Sequence, residues 1–457
     1  MKRKIGIALI GLTCLGYTGR AQTTEFDING LKVIFRHADK YTVSATMFYK
    51  GGTANYTADQ QGIESLALTA ATSCGTKEMN KDAFRDLADK YNIEVGGTTG
   101  YDYGSISLSC AKPYFKEGWR LFSQAIISPV FEEKELAITR QQLISGIRQE
   151  EGDPDTKVGH MANENVFAGT RYAYRPAGTA ESLAGLNKEA VSKYYYNTLL
   201  NKNRMFLVIV GDLDPNTLKQ QLTNTFSQLP ATPVQLPAPE ATVLKGNNLK
   251  VENRPLATNY IIGILGAPPA SDIKATYAND LAYQILAEKL FEEIRTKRNL
   301  SYAPSAAARS RFKPSSIVYV TTTKPREAVE VMVNEVNKLR NNGFNEVDLR
   351  DAKAGFTTEY YMGNQSTAAI AAMVGDAEMK GNWKNAETML TDLDAIPLET
   401  VQRVFNRYAT GIRWNYLGDE KLADKEMFDK AVSVPLQANP NRPQPAPKME
   451  VYKLEKQ

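Results

Sequence analysis

The hydrophobic pattern alternates between short strand-like runs and longer helical ones. Leu31-Lys-Val-Ile-Phe35 and Val43-Ser-Ala-Thr-Met-Phe-Tyr49 are apolar runs with turn-forming neighbours, which predicts two strands. Ser105-Ile-Ser-Leu-Ser-Cys110 alternates with period two, the mark of a strand with one buried face. Phe115, Trp119, Phe122 and Ile126 then recur at helical spacing and predict an amphipathic helix. Met205–Val210 is continuously apolar, a buried strand, and Asp214-Pro215 caps and starts the next helix. The second half repeats this grammar. Ser316–Thr322 reads as a strand, and Pro325 opens a helix with Val329, Met332, Val333 and Val336 on one face, ending near Gly343. A further long helix follows in each half, at about 134–150 and 346–362, and the shared order predicts an internal duplication. Between the halves, Leu229–Glu240 holds four prolines in twelve residues and reads as a semi-rigid linker. The expected organisation is α+β: domains over 22–228 and 246–440, a linker over 229–245, and an extended Pro-rich tail over 441–457.

Composition narrows the class. The 457 residues are 42% hydrophobic and 23% charged, which fits a globular chain and excludes a disordered, collagen-like or multi-span membrane protein. Residues 1–21 have the form of an export signal: Lys2, Arg3 and Lys4, then an apolar run to Gly16, then Gly19-Arg20-Ala21 before Gln22. The apolar run is too short to span a bilayer. A mature protein outside the cytoplasm, in the periplasm or otherwise exported, is expected. The four basic residues of this segment account for the whole net charge of +4, so the rest is balanced. That argues against nucleic-acid binding, which needs a basic surplus. Two cysteines remain, Cys74 and Cys110. They could pair in an oxidising compartment or stay as buried thiols, and the sequence leaves both open.

Several segments resemble one family. Gly51-Gly-Thr-Ala-Asn-Tyr-Thr-Ala-Asp-Gln-Gln-Gly-Ile63 with Cys74-Gly-Thr76, then Arg171-Tyr-Ala-Tyr-Arg-Pro-Ala-Gly-Thr179, then Tyr194-Tyr-Tyr-Asn197, Asn203-Arg-Met205 and Val208–Asp212, are similar to the insulinase/pitrilysin zinc peptidases. Leu290-Phe-Glu-Glu-Ile-Arg-Thr-Lys-Arg-Asn-Leu-Ser-Tyr302 is similar to that family's carboxy-terminal repeat. The resemblance runs in order through nearly the whole mature chain. It implies two homologous α/β-sandwich halves facing each other like a clamshell around a peptide chamber.

Active members carry His-x-x-Glu-His on a helix after the Gly-Ile step, with both imidazoles on one helix face as zinc ligands and the glutamate activating the metal-bound water. Here those positions hold Ser65, Leu68 and Thr69. The third ligand, a glutamate on a later helix, falls on Ser145 or Gly146, with Glu150 and Glu151 one helical turn further on. The chain's only histidines, His37 and His160, are more than 120 residues apart. The expectation is that this chain binds no zinc and does not cleave peptides alone. The family's second-half pair does remain: an arginine and a tyrosine seven residues apart match Arg295 and Tyr302, with Arg298 as the register-shifted alternative. Such a pair could hydrogen-bond a substrate carbonyl and stabilise the developing oxyanion. The bland alternative makes Arg295 a solvated helix residue and Tyr302 a core aromatic at a strand start. A peptide would also need a sheet edge to lie against, and the Gly96–Gly104 run leading into the strand Ser105–Cys110 is the candidate edge. By resemblance, the chain is expected to be the non-catalytic subunit of a heterodimeric zinc peptidase, with zinc in a homologous partner subunit and a peptide or unfolded protein as substrate. The competing expectation is a stand-alone peptide-binding or assembly scaffold.

Overall fold

A computed structural model describes residues 23–430 and 432. Residues 1–21, where an export signal is expected, and the tail 441–457 lie outside the described residues. The fold is mixed α/β with two sheets. The first holds β1 (Thr23–Ile28), β2 (Leu31–His37), β3 (Thr42–Lys50), β4 (Glu94–Thr99), β5 (Tyr103–Ala111) and β6 (Met205–Gly211), in the order β1-β2-β6-β3-β5-β4. The second holds β7 (Asn248–Asn253), β8 (Asn259–Leu265), β9 (Ser305–Arg309), β10 (Ser315–Thr322) and β11 (Arg413–Gly418), in the order β7-β11-β8-β10-β9. Without β1 the two orders coincide strand for strand. Both have one parallel pair, β2 with β6 and β7 with β11, and antiparallel neighbours elsewhere. The duplication is therefore topological as well as a matter of sequence pattern.

One face of the first sheet is covered by α1 (Ile63–Ser73), α2 (Lys81–Tyr91), α3 (Phe115–Ile127) and α4 (Glu133–Gly152). In the second half the corresponding role falls to Ile273–Leu290 and Pro325–Asn342. The opposite faces are covered reciprocally. Helix α5 (Pro154–Val166), which Asp153 caps by accepting the Thr156 N–H at 2.7 Å, lays Val158, Met161 and Ala162 on Ile262, Ile264 and Leu417 of the second sheet. Helix Thr367–Met379 lays Ile370, Ala371 and Val374 on Phe48, Phe206 and Val208 of the first. That approach is close: a Cβ on Gly375 would stand 2.1 Å from the Phe48 ring. Burying each large aliphatic side chain contributes about 1.5–3 kcal/mol, so separating the halves would expose two apolar seams. The linker is strapped down too. Lys202 N–H donates to Pro230 O (2.9 Å), Asn201 Nδ2 to Thr232 Oγ1 (2.6 Å) and Glu240 N–H to Phe312 O (2.9 Å). The sheets divide at the linker, but the apolar cores are shared across it.

Among the described residues no helix is long and apolar enough to cross a membrane. Cys74 and Cys110 are free and buried. Cys74 Sγ lies 3.6 Å from Thr139 Oγ1, while Cys110 packs under Gly118 of α3.

Candidate functional site

Helix α1 starts at a glycine that the geometry requires. Gly62 has φ +84°, and a Cβ there would come within 2.7 Å of Ala177 O. Gly178 faces it with φ +85° and the same distance to Gln61 O. Ser182 Oγ donates to Gln61 O (2.8 Å), and the Arg175 N–H donates to Gln61 Oε1 (3.0 Å). The Gly-Ile step and the Arg171–Thr179 segment, far apart in sequence, are thus one turn-on-turn contact that aims α1 across β4 and β5.

At the zinc-motif positions α1 presents two hydroxyls and a leucine. Ser65 is buried, Leu68 is fully buried and Thr69 is half-buried. Leu68 lies so close to the sheet that a Cβ on Gly97 would stand 2.2 Å from Leu68 O, and one on Gly104 would stand 2.4 Å from Leu68 Cδ1. Zinc does not fit this set, since two neutral hydroxyls and a leucine supply neither a charge nor an imidazole lone pair. Among the described residues no three His, Cys, Asp or Glu side chains converge as a metal site. His37 ends β2, half-exposed, 3.9 Å from Asp212. His160 is on α5, where burial and the nearby Arg175 hold it below the ordinary imidazole range.

The third-ligand positions separate by geometry. Cys74 at the end of α1 touches Thr139 on α4. At the other end, Gln61 meets Arg175, whose guanidinium pairs with Glu151 (2.5 Å). The helices therefore run antiparallel. Leu136, Thr139, Ile144 and Ile147 form the buried stripe of α4. At 100° per residue Ser145 falls opposite that stripe, while Gly146 falls beside Thr139 two turns on. Ser145 is exposed and its hydroxyl donates to Gln141 O (2.9 Å). Gly146 is exposed as well, with nothing within 4 Å of where a Cβ would stand, so only its angle around the helix sets it apart. Glu151 is committed to Arg175, which holds it below the usual carboxylate range.

Sequence reasoning missed the polar centre of this half. Glu64 is fully buried; it accepts from Tyr194 Oη (2.5 Å), Asn55 Nδ2 (3.0 Å) and Thr99 Oγ1 (3.4 Å). Arg204 Nη1 donates to Asn55 Oδ1 and to Lys50 O (2.7 Å), closing a network from α1 to the start of β6. Burial raises the Glu64 carboxyl above its ordinary range, and the hydrogen bonds from Tyr194 and Asn55 only partly oppose this. The available signal was an acid in the first turn of a helix, which ordinarily means no more than a favourable dipole contact.

The expected peptide edge needs correction. The strand Ser105–Cys110 lies within β5, which is paired on both sides, to β3 and to β4. The open edge of the sheet is β4 itself, built from the glycine-containing run Glu94–Thr99, with the turn confined to 100–102. A strand with two glycines works here because α1 leaves no room for side chains at Gly97.

In the second half, the helix Ile273–Leu290 continues into a wider π-helical turn, Phe291–Thr296. Such turns are frequent at functional sites. This one brings the predicted pair together. The Arg295 guanidinium carbon lies 4.1 Å from the Tyr302 ring centroid and 4.8 Å from that of Phe291. Tyr302 is 77% exposed, so it is no core aromatic. Arg298, the alternative, is bound to Glu293, donating to its backbone carbonyl at 2.8 Å and to its carboxylate.

Comparison with known proteins places these features. Residues 186–356 match the family described as Peptidase M16 inactive domain. A non-peptidase homolog, YmxG, of Helicobacter pylori is 23% identical, covering 77% of this chain and 83% of that protein. The solved structure of a protease from Helicobacter pylori matches with TM-score 0.79 at 15% identity, covering 87% of this chain and 100% of that one. A peptidase M16 inactive domain from Pseudomonas fluorescens matches with TM-score 0.77 at 17% identity, covering 87% and 98%.

Proposed function

We propose that this chain, which matches the Peptidase M16 inactive domain over residues 186–356 and is similar to a non-peptidase homolog of Helicobacter pylori, is the substrate-positioning subunit of a two-chain zinc peptidase. One contrast carries the proposal: every zinc-motif position on α1 is occupied by a residue that cannot ligate, while Arg295 and Tyr302 stand together with the tyrosine exposed. In the complex a homologous partner bearing His-x-x-Glu-His supplies zinc and the attacking water. This chain supplies an open edge at β4, along which an extended peptide adds as a strand. It also supplies a guanidinium and a phenol that hydrogen-bond the scissile carbonyl as its oxygen gains charge. The basic-then-apolar start of the chain, Lys2–Gly16, supports export, with the complex working in the periplasm.

The test is co-expression with a His-x-x-Glu-His homologue from the same genome. Complex formation is measured by size and turnover with a quenched peptide. Turnover by the pair and by neither chain alone is the expected result. Failure to associate, or equal turnover by the partner alone, would overturn the proposal and leave a scaffold that binds peptides or assembles other chains.

A further inference from the structure

The charges around Arg295 do not cancel. In the segment Phe291–Tyr302, Lys297 pairs with Glu292 (2.8 Å) and Glu293 (2.6 Å), and Arg298 pairs with Glu293. Lys297 and Arg298 together hold the Glu293 carboxyl down to about 2. Both acids are therefore taken, and Arg295 is the cation in surplus: among the described residues its guanidinium makes no hydrogen bond or ion pair. It lies instead against two rings, its guanidinium carbon 4.8 Å from the centroid of Phe291 and 4.1 Å from that of Tyr302. Those rings are 42% and 77% exposed, so neither is placed there by core packing.

A guanidinium that contacts aromatic rings through its π-face keeps its in-plane N–H groups free. Such contact also restricts a long side chain before any ligand arrives, which lowers the ordering cost of binding. A planar edge with parallel donors matches a carboxylate, which it can bind through two N–H···O contacts. We propose that Phe291, Arg295 and Tyr302 form a clamp for a peptide carboxylate, from either a chain terminus or an Asp/Glu side chain. Phe291 is the positioning residue of that clamp. This deepens the function proposed above and rests on the second half facing a peptide: hydrolysis turns a scissile carbonyl into a terminal carboxylate, so the same donors meet the carbonyl before cleavage and a carboxylate after it, and an Asp/Glu side chain would compete for them.

The experiment uses the isolated mature chain, labelled with 15N-arginine, and follows the Arg295 Nε–H resonance, identified by its loss in Arg295→Lys. Three probes are titrated: acetyl-Ala-Ala-Ala with a free carboxylate, the same peptide as its amide, and acetyl-Ala-Asp-Ala-amide. A saturable shift with a carboxylate probe and none with the neutral amide is expected, and the tighter acid identifies the source. Phe291→Leu should weaken binding about 2- to 5-fold, the size of an exposed cation–π contact. Phe291→Tyr, which keeps the ring, should restore it, and this pair separates positioning from a folding defect. An equal shift with the amide, or unchanged affinity in Phe291→Leu, would overturn the clamp. No partner and no turnover enter the measurement, so its failure and the failure of the two-chain proposal are distinguishable.

Discussion

The two halves share a strand order, yet the segments aligned with peptidase chemistry have opposite physical character. In the first half the zinc-motif helix is sealed. Leu68 is fully buried over glycines of β4 and β5, and the adjacent carboxylate, Glu64, faces inward to Tyr194 and Asn55. In the second half Tyr302 is exposed, with the Arg295 guanidinium, unpaired among the described residues, 4.1 Å from its ring centroid. Losing ligands from a helix that packs on a sheet lets hydrocarbon fill the space, because burial contributes stability without further design. No such gain explains Tyr302. An exposed ring beside a cation stabilises a fold little, which is the observation the proposed binding role rests on.

The largest expected effect comes from forcing the sealed site open. Ser65→His with Leu68→Glu and Thr69→His places a carboxylate where Leu68 is fully buried, one helical turn from buried Glu64. An unpaired buried charge costs several kcal/mol, so thermal unfolding should show a loss of about 4 kcal/mol. Zinc binding should still be absent by elemental analysis. Adding Gly146→Glu should bring zinc and recover part of the loss, whereas adding Ser145→Glu, on the far side of α4, should not. Tight zinc in the triple variant would show that the third ligand has been misplaced.

Next in size is the open half. Tyr302→Phe removes one exposed hydroxyl and keeps the ring over Arg295. Turnover of the reconstituted pair should fall about 10²–10³-fold, the loss typical of an oxyanion donor. Thermal stability and assembly should be unchanged. Arg295→Ala should cost at least as much and should weaken peptide binding as well. Wild-type turnover in both would remove the functional contrast between the halves.

How far the sequence reached follows the same division. Strands with their own signature were readable: β2, β3, β5, β6 and β10 all contain the apolar or alternating runs that predict them. Two of the four edge strands, β4 and β9, were not. β4 reads Glu-Val-Gly-Gly-Thr-Thr and β9 reads Ser-Ala-Ala-Ala-Arg, compositions with low strand propensity. Both are strands because a helix lies close against them and a neighbour supplies hydrogen bonds, and neither cause is local. The exchange of α5 and Thr367–Met379 was hidden for a related reason: an amphipathic helix shows that it has a partner, but not which sheet. Arg295 and Tyr302 were found through spacing within a motif. Phe291, four residues before Arg295, was passed over because a phenylalanine at the end of an apolar helix ordinarily belongs to the core.

Glu64 gives a smaller effect with a definite sign. Glu64→Ala leaves the Tyr194 hydroxyl and an Asn55 N–H buried without an acceptor, a loss of about 2 kcal/mol. Burial raises the folded carboxyl above its ordinary 4.5, so the folded chain binds this proton more tightly than the unfolded chain. Its contribution is therefore greatest at low pH and is lost as pH rises through the raised folded value. Glu64→Gln keeps an acceptor and cannot titrate, so its stability should depend less on pH between about 4.5 and neutrality than that of the wild type. Equal slopes in urea unfolding across that range would mean that Glu64 does not titrate as its burial requires.

The smallest expected effect is none at all, and it tests how tightly the first half is closed. Cys74 and Cys110 are both buried in that half and contact different helices, α4 through Thr139 and α3 through Gly118. Burial pushes the Cys110 thiol up to about 11 and raises Cys74 as well, so little thiolate forms at neutral pH. A disulfide would make reductant costly, since opening a native bridge typically removes about 2–5 kcal/mol. The unfolding midpoint of residues 22–457 should therefore be the same with and without dithiothreitol. A thiol reagent should label neither cysteine until urea unfolds the chain. Labelling of Cys74 at the native rate of a surface thiol would show that the α1–α4 contact opens readily. The first half would then be no more sealed than the second, and the filled zinc site would need another explanation than packing.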